Sequence, residues 1–182
     1  MENSLTAPRT AEQAFPQGVT GAFELVEGER VDMSPTTPDT TRCALNAARL
    51  LEAYSGPTRL GLTLLDPGFI LHRDPDTVRI PDVAFVRAAR VPANDRPGAL
   101  IELAPDLAVL TIRPGDRAGG IENKVRDYLE AGTPLVLLLY PSWRRITAVR
   151  SIRERTEMEE AQDLATEDVL PGFRCRVADF FA

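Results

Sequence analysis

The chain has only one histidine and two cysteines among its 182 residues. Zinc sites in proteins are built mainly from these two residue types, so we do not expect a zinc centre. Cys43 and Cys175 are too few for a disulfide framework and are expected to be reduced core residues. The histidine, His72, is expected to be structural, with a catalytic base as the alternative. Any bound metal should therefore have oxygen ligands, which favours Mg²⁺ or Mn²⁺.

Long hydrophobic runs are also missing. The longest, from Leu135 to Tyr140, is far short of the roughly 20 residues that a transmembrane helix needs. Residues 1–17 are polar and contain no apolar stretch typical of a signal peptide. We therefore predict a cytoplasmic protein with no membrane contact, in which residues 1–20 form a flexible N-terminal arm and residues 21–182 form one domain.

Positive charge is scarce, since the net charge is -6 and the pI is about 4.9. A protein that coats DNA would be basic, because neutralising phosphates drives that binding. DNA remains a possible partner only through a local basic surface, and the alternative is that the basic residues are simply solvated. The candidates for such a surface are Arg113, Arg117, Lys124, Arg144, Arg145, Arg150, Arg153 and Arg155.

What the chain does contain is a sequence of short strands and two longer helical patterns. A hairpin is predicted around Gly28, and a helix is predicted from Asp39 or Thr40 to Tyr54, where Gly56 and Pro57 follow. The strands are predicted at 23–26, 30–33, 60–65, 69–72, 78–86 (interrupted by Pro81), 106–112, 135–140 and 146–152, and 90–99 is predicted to be a loop.

The clearest unit runs from strand 106–112 through a helix at 117–131 to strand 135–140. Asp116 is a typical N-cap residue and Gly132 a typical helix stop. The second strand is entirely apolar, so both of its faces should be buried. A strand, a helix and a buried strand predict a right-handed crossover, and thus an α/β (α+β) fold with a mixed β-sheet flanked by helices.

Two side chains near this unit could contact a ligand. Lys124 shares a helical face with Ile121 and Tyr128, so it either reaches water beside the buried stripe or points over the end of the sheet, where ligands of α/β proteins bind. Trp143, beside Arg144 and Arg145, either stacks on a base or, as we favour, lies partly buried at the sheet edge.

Several short motifs, taken in order, resemble the bacterial Uma-two family of putative restriction endonucleases, which is part of the PD-(D/E)XK nuclease superfamily. The motifs are Phe23-Glu24-Leu25-Val26-Glu27-Gly28-Glu29, Met33-Ser34-Pro35, Pro81-Asp82-Val83, Pro105-Asp106-Leu107, Lys124-x-x-x-Tyr128 and Val169-Leu170-Pro171-Gly172-Phe173. The resemblance implies a restriction-endonuclease-like core. It also implies a divalent-metal site, Mg²⁺ or Mn²⁺, in which Glu24 and Asp82 are metal ligands and Glu24, Asp82 and Lys124 are catalytic.

The chain departs from the family pattern at the third acidic position, where Leu110 replaces a glutamate and Arg113 replaces a serine. The histidine that often follows the Met-Ser-Pro loop is also absent. Asp106 lies four residues before Leu110, about 13 Å along a strand, which is too far to share a metal. Glu102 is farther away and Asp116 is expected to cap a helix, so neither replaces the missing ligand.

Three hypotheses follow. The first is a metal-dependent endonuclease that hydrolyses DNA phosphodiesters with an incomplete active site. The second is an inactive nuclease-fold module that binds nucleic acid or a protein, and Leu110 with Arg113 motivates it. The third is a self-associating domain. A homodimer is the expected assembly of a soluble domain of this kind.

Overall fold

The computed structural model of the protein describes residues 9–16, 23–91 and 100–182. Within them the chain forms three α-helices and twelve β-strands. The helices are α1 (Ala11–Ala14), α2 (Pro38–Thr58) and α3 (Ala118–Glu130). The strands are β1 (Phe23–Val26), β2 (Glu29–Asp32), β3 (Gly61–Leu65), β4 (Phe69–His72), β5 (Thr77–Arg79), β6 (Val83–Arg87), β7 (Leu107–Thr111), β8 (Leu135–Tyr140), β9 (Arg145–Val149), β10 (Arg155–Glu159), β11 (Asp163–Ala165) and β12 (Arg174–Arg176).

The main sheet has six strands in the order β10-β9-β8-β7-β6-β3. Strands β7 and β8 are parallel, while their neighbours pair antiparallel, so the sheet is mixed. This confirms the predicted fold class, including the strand, helix and strand unit at β7, α3 and β8.

Side chains of the central strands alternate between two cores, one on each face of the main sheet. Leu107 and Val109 of β7 pack in the larger core with α2, whereas Ala108 and Leu110 pack in the core under α3. Strand β8 alternates in the same way. Both faces are thus covered, which explains why these strands read as nearly continuous apolar runs.

The predicted strand 78–86 is wrong in one respect, because it is two strands in two sheets. Strand β5 belongs to a smaller sheet, ordered β2-β1-β5-β4, and β6 belongs to the main sheet. Pro81 lies between them and has no N–H to donate to a ladder, so the pairing ends there. Residues 80–82 therefore carry the chain from the small sheet to β6, an interior strand of the main one.

The two long helices differ from prediction at their ends. Helix α2 begins after Thr37, which caps it, and continues through Gly56 and Pro57, which were predicted to end it. The Thr58 hydroxyl donates to the Tyr54 and Ser55 carbonyls and so satisfies the last turn. Helix α3 starts after Arg117, not after a side-chain cap from Asp116. No helix in the described ranges is long and apolar enough to cross a bilayer.

The described part of the predicted flexible arm is a short helix held against the small sheet. Thr10 caps α1, and Ala11 donates its N–H to Asp76 Oδ2 over 2.7 Å. Phe15 is buried and stacks on Phe23 with ring centroids 4.7 Å apart. The expectation of a loose segment therefore does not apply to residues 9–16. The rest of the predicted arm, and residues 92–99 of the predicted loop, lie outside the described residues.

Leu137→Ala tests the importance of the core on the α2 face. Leu137 is 1% exposed in a central strand, so we expect the variant to lose about 2–5 kcal/mol of unfolding free energy. Leu62→Ala, at a residue 42% exposed on β3, is the matched control and should lose much less. Urea denaturation of both variants measures this, and equal losses would contradict the assigned core.

Candidate functional site

A cavity of about 430 Å³ lies where the β1–β2 hairpin, the end of β7 and the first half of α3 meet. The structure brings together Glu24, Asp82 and Lys124, the three site residues expected from the sequence, and all three line this cavity. Leu110 and Arg113, the two departures from the family pattern, line it as well. The residues of the predicted site therefore lie together around one cavity.

Glu24 extends from β1 and is only 4% exposed. Its Oε1 accepts hydrogen bonds from Ile80 N and Lys124 Nζ, both over 2.7 Å, and its Oε2 accepts one from Arg79 Nη1 over 2.8 Å. Burial by itself raises the pKa of Glu24, but the charges of Lys124 and Arg79 outweigh it and bring the pKa below the ordinary value. Glu24 is therefore a carboxylate whose two oxygens are both engaged by donors of the protein.

Arg79 is a site residue that the sequence analysis missed. It is 5% exposed, contacts Glu24, and donates from Nε to Asp127 Oδ2 over 2.7 Å. Burial lowers the pKa of a guanidinium, yet the two carboxylates raise the pKa of Arg79 overall. The sequence contained one signal for this residue, because Arg79 lies between the apolar residues Val78 and Ile80. An arginine that faces the interior at such a position requires an acidic partner.

Lys124 points over the end of the sheet and is not simply extended into water. Its Nζ donates to the Ile80 carbonyl over 2.7 Å in addition to Glu24. The sequence allowed Lys124 either to reach water or to point over the end of the sheet, and the structure has the second orientation. The ammonium group fixes α3 to the segment that joins the two sheets.

Asp82 directly precedes β6, lies beside the end of β7 and is 8% exposed. Its Oδ2 accepts from Thr111 N over 2.6 Å, and its Oδ1 accepts from Arg113 Nη2 over 2.8 Å. Arg113 is the residue that replaces the serine of the family pattern. An arginine side chain therefore occupies one oxygen of the carboxylate that was predicted to hold a metal.

Arg113 keeps donors to spare. It is 8% exposed, and within the described residues only Nη2 donates to a partner, while Nε is buried without one. The hydroxyl of the neighbouring Thr111 is likewise buried without a partner there. Buried polar groups are normally satisfied, so these two groups are exceptions among the residues that line the cavity. Arg117, exposed at the start of α3, lines the same cavity.

The residues present do not fit a divalent cation. Leu110 is 4% exposed and packs in the core under α3, and it offers no ligand atom. Among the described residues, no group of three His, Cys, Asp or Glu side chains could hold a metal. The cavity wall carries four carboxylates (Glu24, Asp32, Asp82, Asp116) and four cations (Arg79, Arg113, Arg117, Lys124). It therefore lacks the excess of negative charge that a divalent cation requires.

The other acids near β7 are engaged elsewhere. Asp106, at the opposite end of the strand, pairs with Arg90 over 2.9 Å. Glu102 pairs with Arg73 over 3.0 Å. Asp116 accepts from Arg113 N over 2.8 Å and does not cap α3, so the predicted cap is wrong. None of the three supplies the missing ligand, as expected from the sequence.

The remaining candidates lie outside this cavity. His72 is half-buried on β4. Burial raises the pKa of Cys43 to about 11 and that of Cys175 to about 12, which suits unreactive thiols. Cys175 is only partly buried, however, and Trp143 is 64% exposed, so the predicted partial burial of the tryptophan is wrong. Arg144, Arg145, Arg150 and Arg155 each pair with an acidic side chain.

Glu24→Gln tests the network around Glu24. Removing a buried partner of two cations should cost about 3–5 kcal/mol of unfolding free energy near neutral pH. Because the pKa of Glu24 is below its ordinary value of 4.5, its stabilising contribution is complete above that pH and is lost as the pH falls through the folded-state value. The difference between wild type and variant should therefore shrink on acidification below 4.5.

Urea denaturation at a series of pH values measures that difference. Glu29→Gln, which changes an exposed glutamate on β2, is the matched control and should show a small difference at every pH. A difference for Glu24→Gln that stays constant down to acid pH would refute the ionised network.

Comparisons with known proteins agree with this fold. The profile of the family described as "Uma2: Putative restriction endonuclease" matches residues 12–178. A crystal structure of a putative nuclease from Anabaena variabilis ATCC 29413 superposes with a TM-score of 0.82 at 16% identity, over 96% of this chain and 98% of that one, and so has the same fold. The search of curated proteins returned no significant match. Since the family match covers nearly the whole chain, the protein belongs to the Uma2 family of putative restriction endonucleases.

Proposed function

We propose that this protein is a nuclease-fold domain that binds phosphates of nucleic acid without a divalent metal and does not hydrolyse them. The observation that carries the proposal is the ion pair between Arg113 and Asp82. In the family pattern, the positions of Leu110 and Arg113 hold a glutamate and a serine. Here one has become apolar and the other supplies a fixed positive charge.

A metal at Asp82 would have to compete with Arg113 for the carboxylate. The two groups are 2.8 Å apart and both are nearly buried. Separating them would leave a buried guanidinium without its counter-charge, which is strongly unfavourable. Leu110 offers no oxygen to offset that cost. The arginine therefore supports a site in which protein cations do the charge neutralisation that a metal does in other nucleases.

The cavity also offers donors for an anion. Arg113 and Arg117 both line it, and Arg117 is exposed at the rim. Helix α3 begins there without a side-chain cap, so the N–H groups of its first turn are available, and its dipole favours negative charge. A Cβ added at Gly119 or Gly120 would meet no atom within 4 Å, so a phosphate has room to approach this backbone.

The alternative is a metal-dependent endonuclease that uses Glu24, Asp82 and Lys124. Family membership favours it, and Mg²⁺ is sometimes held by one or two carboxylates with waters and substrate phosphates. It requires Arg113 to leave Asp82 when substrate binds. An assay of plasmid cleavage in the presence of Mn²⁺ distinguishes this alternative from the proposed function.

Binding of a fluorescein-labelled DNA oligonucleotide is expected to be equally strong with Mg²⁺ and with EDTA. Arg117→Ala should weaken it about tenfold, since a charge-assisted hydrogen bond to phosphate is lost. Arg49→Ala, which removes an exposed arginine of α2 outside the cavity, is the matched control and should bind like the wild type. Fluorescence anisotropy at fixed low salt measures these affinities. Binding that disappears in EDTA would argue for a metal site.

Plasmid cleavage with Mn²⁺ tests for the absence of hydrolysis. We expect no cleavage by the wild type or by Asp82→Ala. The double variant Leu110→Glu, Arg113→Ser restores the family residues and should gain Mn²⁺-dependent cleavage. Leu110→Gln with Arg113→Ser has the same bulk without the charge and should stay inactive. Circular dichroism verifies that each variant is folded. If the wild type cuts and Asp82→Ala does not, the endonuclease alternative is correct.

A further inference from the structure

A second cleft, of about 440 Å³, adjoins the cavity that contains Arg113. Its wall is largely apolar and aromatic, with Ile112, Pro114, Ala118, Ile121, Tyr140 and Trp143. The two spaces share Ile112, Arg113, Asp116 and Ile121, so Arg113 is part of both walls. A ligand that fills both would have an anionic part next to a flat or apolar part.

Trp143 packs against two neighbouring side chains although 64% of it is exposed. It lies in the 3₁₀ turn Pro141–Trp143, which directly follows β8. Its indole stacks with the ring of Tyr140, at 5.5 Å between centroids and 22° between planes. The guanidinium of Arg145 lies 5.1 Å from the centre of the indole and 5.6 Å from that of the phenol. An exposed indole whose orientation is set by two neighbours is preorganised for contact with a ligand.

The acidic groups of this cleft are already engaged. Glu122 accepts from Arg155 Nη1 over 2.7 Å, and Asp116 accepts from Arg113 N over 2.8 Å. Burial, the largest effect on Tyr140, raises the pKa of its phenol, so the ring is neutral under ordinary conditions. Within the described residues, Glu122 is therefore balanced by a cation, whereas Asp116 is hydrogen-bonded to a neutral amide.

We propose that the cleft of Tyr140 and Trp143 binds an unpaired nucleobase of the strand whose phosphate lies against Arg113 and Arg117. This inference rests on the proposed function and specifies its ligand as single-stranded nucleic acid. Aromatic side chains beside a basic groove are the usual means of holding single strands, because every base has a face to stack. A cleft of this volume is within the range of small-molecule sites and has room for one base.

Trp143 is the only tryptophan of the chain, so its fluorescence reports on this cleft alone. We would titrate the full-length protein, in EDTA, with a short single-stranded DNA, with a strand of equal length in which every nucleotide is abasic, and with a blunt duplex. Only the intact single strand should quench the tryptophan strongly. The abasic strand keeps every phosphate but has no base, so it distinguishes binding at the phosphate site from binding at the base site.

Anisotropy with labelled strands then compares variants. Trp143→Ala should weaken binding of the intact strand about tenfold, the usual effect of losing one stacking partner, and should leave the abasic strand unaffected. Trp143→Phe should retain most of the affinity. Ile152→Ala, which truncates an apolar residue 63% exposed outside the cleft, should bind like the wild type.

The outcomes distinguish this inference from the proposed function. If the intact strand binds and responds to Arg117→Ala, but neither quenches Trp143 nor responds to Trp143→Ala, the base site is refuted and phosphate binding stands. Equal quenching by the blunt duplex also refutes a site for an unpaired base. If no oligonucleotide binds under any condition, both proposals are wrong.

Discussion

The carboxylate of Glu24 holds together the three parts of the fold that form the candidate site. Through Oε1 it contacts Ile80, in the link between the two sheets, and Lys124 on α3, while Oε2 contacts Arg79 on β5. Each of these contacts is 2.7–2.8 Å long and buried or nearly so. Because the hairpin, the link and the helix converge on one charged group, the cavity between them has a defined shape. A buried network of this type is tolerated only when all its members are satisfied, which is the case for both oxygens of Glu24.

Leucine at position 110 and arginine at position 113, the two departures from the pattern that the chain resembles, are physically consistent with each other. With a leucine at 110, Asp82 would be a nearly buried carboxylate without a metal to balance it. Arg113 provides that balance at 2.8 Å, and Leu110 joins Val125 and Tyr128 in the core under α3. The wall that these positions form is thus partly an ion pair and partly a hydrophobic contact. The fold stays intact because both replacements satisfy the positions they occupy.

The sequence predicted those features that depend on local pattern. The apolar runs of β7 and β8, with the helical stripe between them, were sufficient for the mixed sheet and its crossover, and the family motifs brought Glu24, Asp82 and Lys124 to one site. The partners of these residues could not be predicted, since Arg79 is 55 residues from Glu24 along the chain and meets it only when β5 pairs with β1 in the small sheet. The cap at Asp116 failed because a competing acceptor role, toward Arg113 N, uses the same carboxylate. Cytoplasmic location and a homodimer stay predictions.

The proposed metal-independent binding is compatible with a nuclease fold, because positioning a phosphate and hydrolysing it require different groups. In the proposed site, the strand ends and the start of α3 position a phosphate, whereas metal ligands would lower the barrier to its hydrolysis. In this chain the first set of groups is present, with Arg113, Arg117 and an uncapped helix start, and the second set is reduced to two carboxylates that are already paired. The aromatic cleft extends the first task, since it shares Arg113 with the cavity and adds a surface for a base. In the proposed complex, a side chain common to both walls aligns them on one strand, so binding does not depend on the groups that catalysis needs.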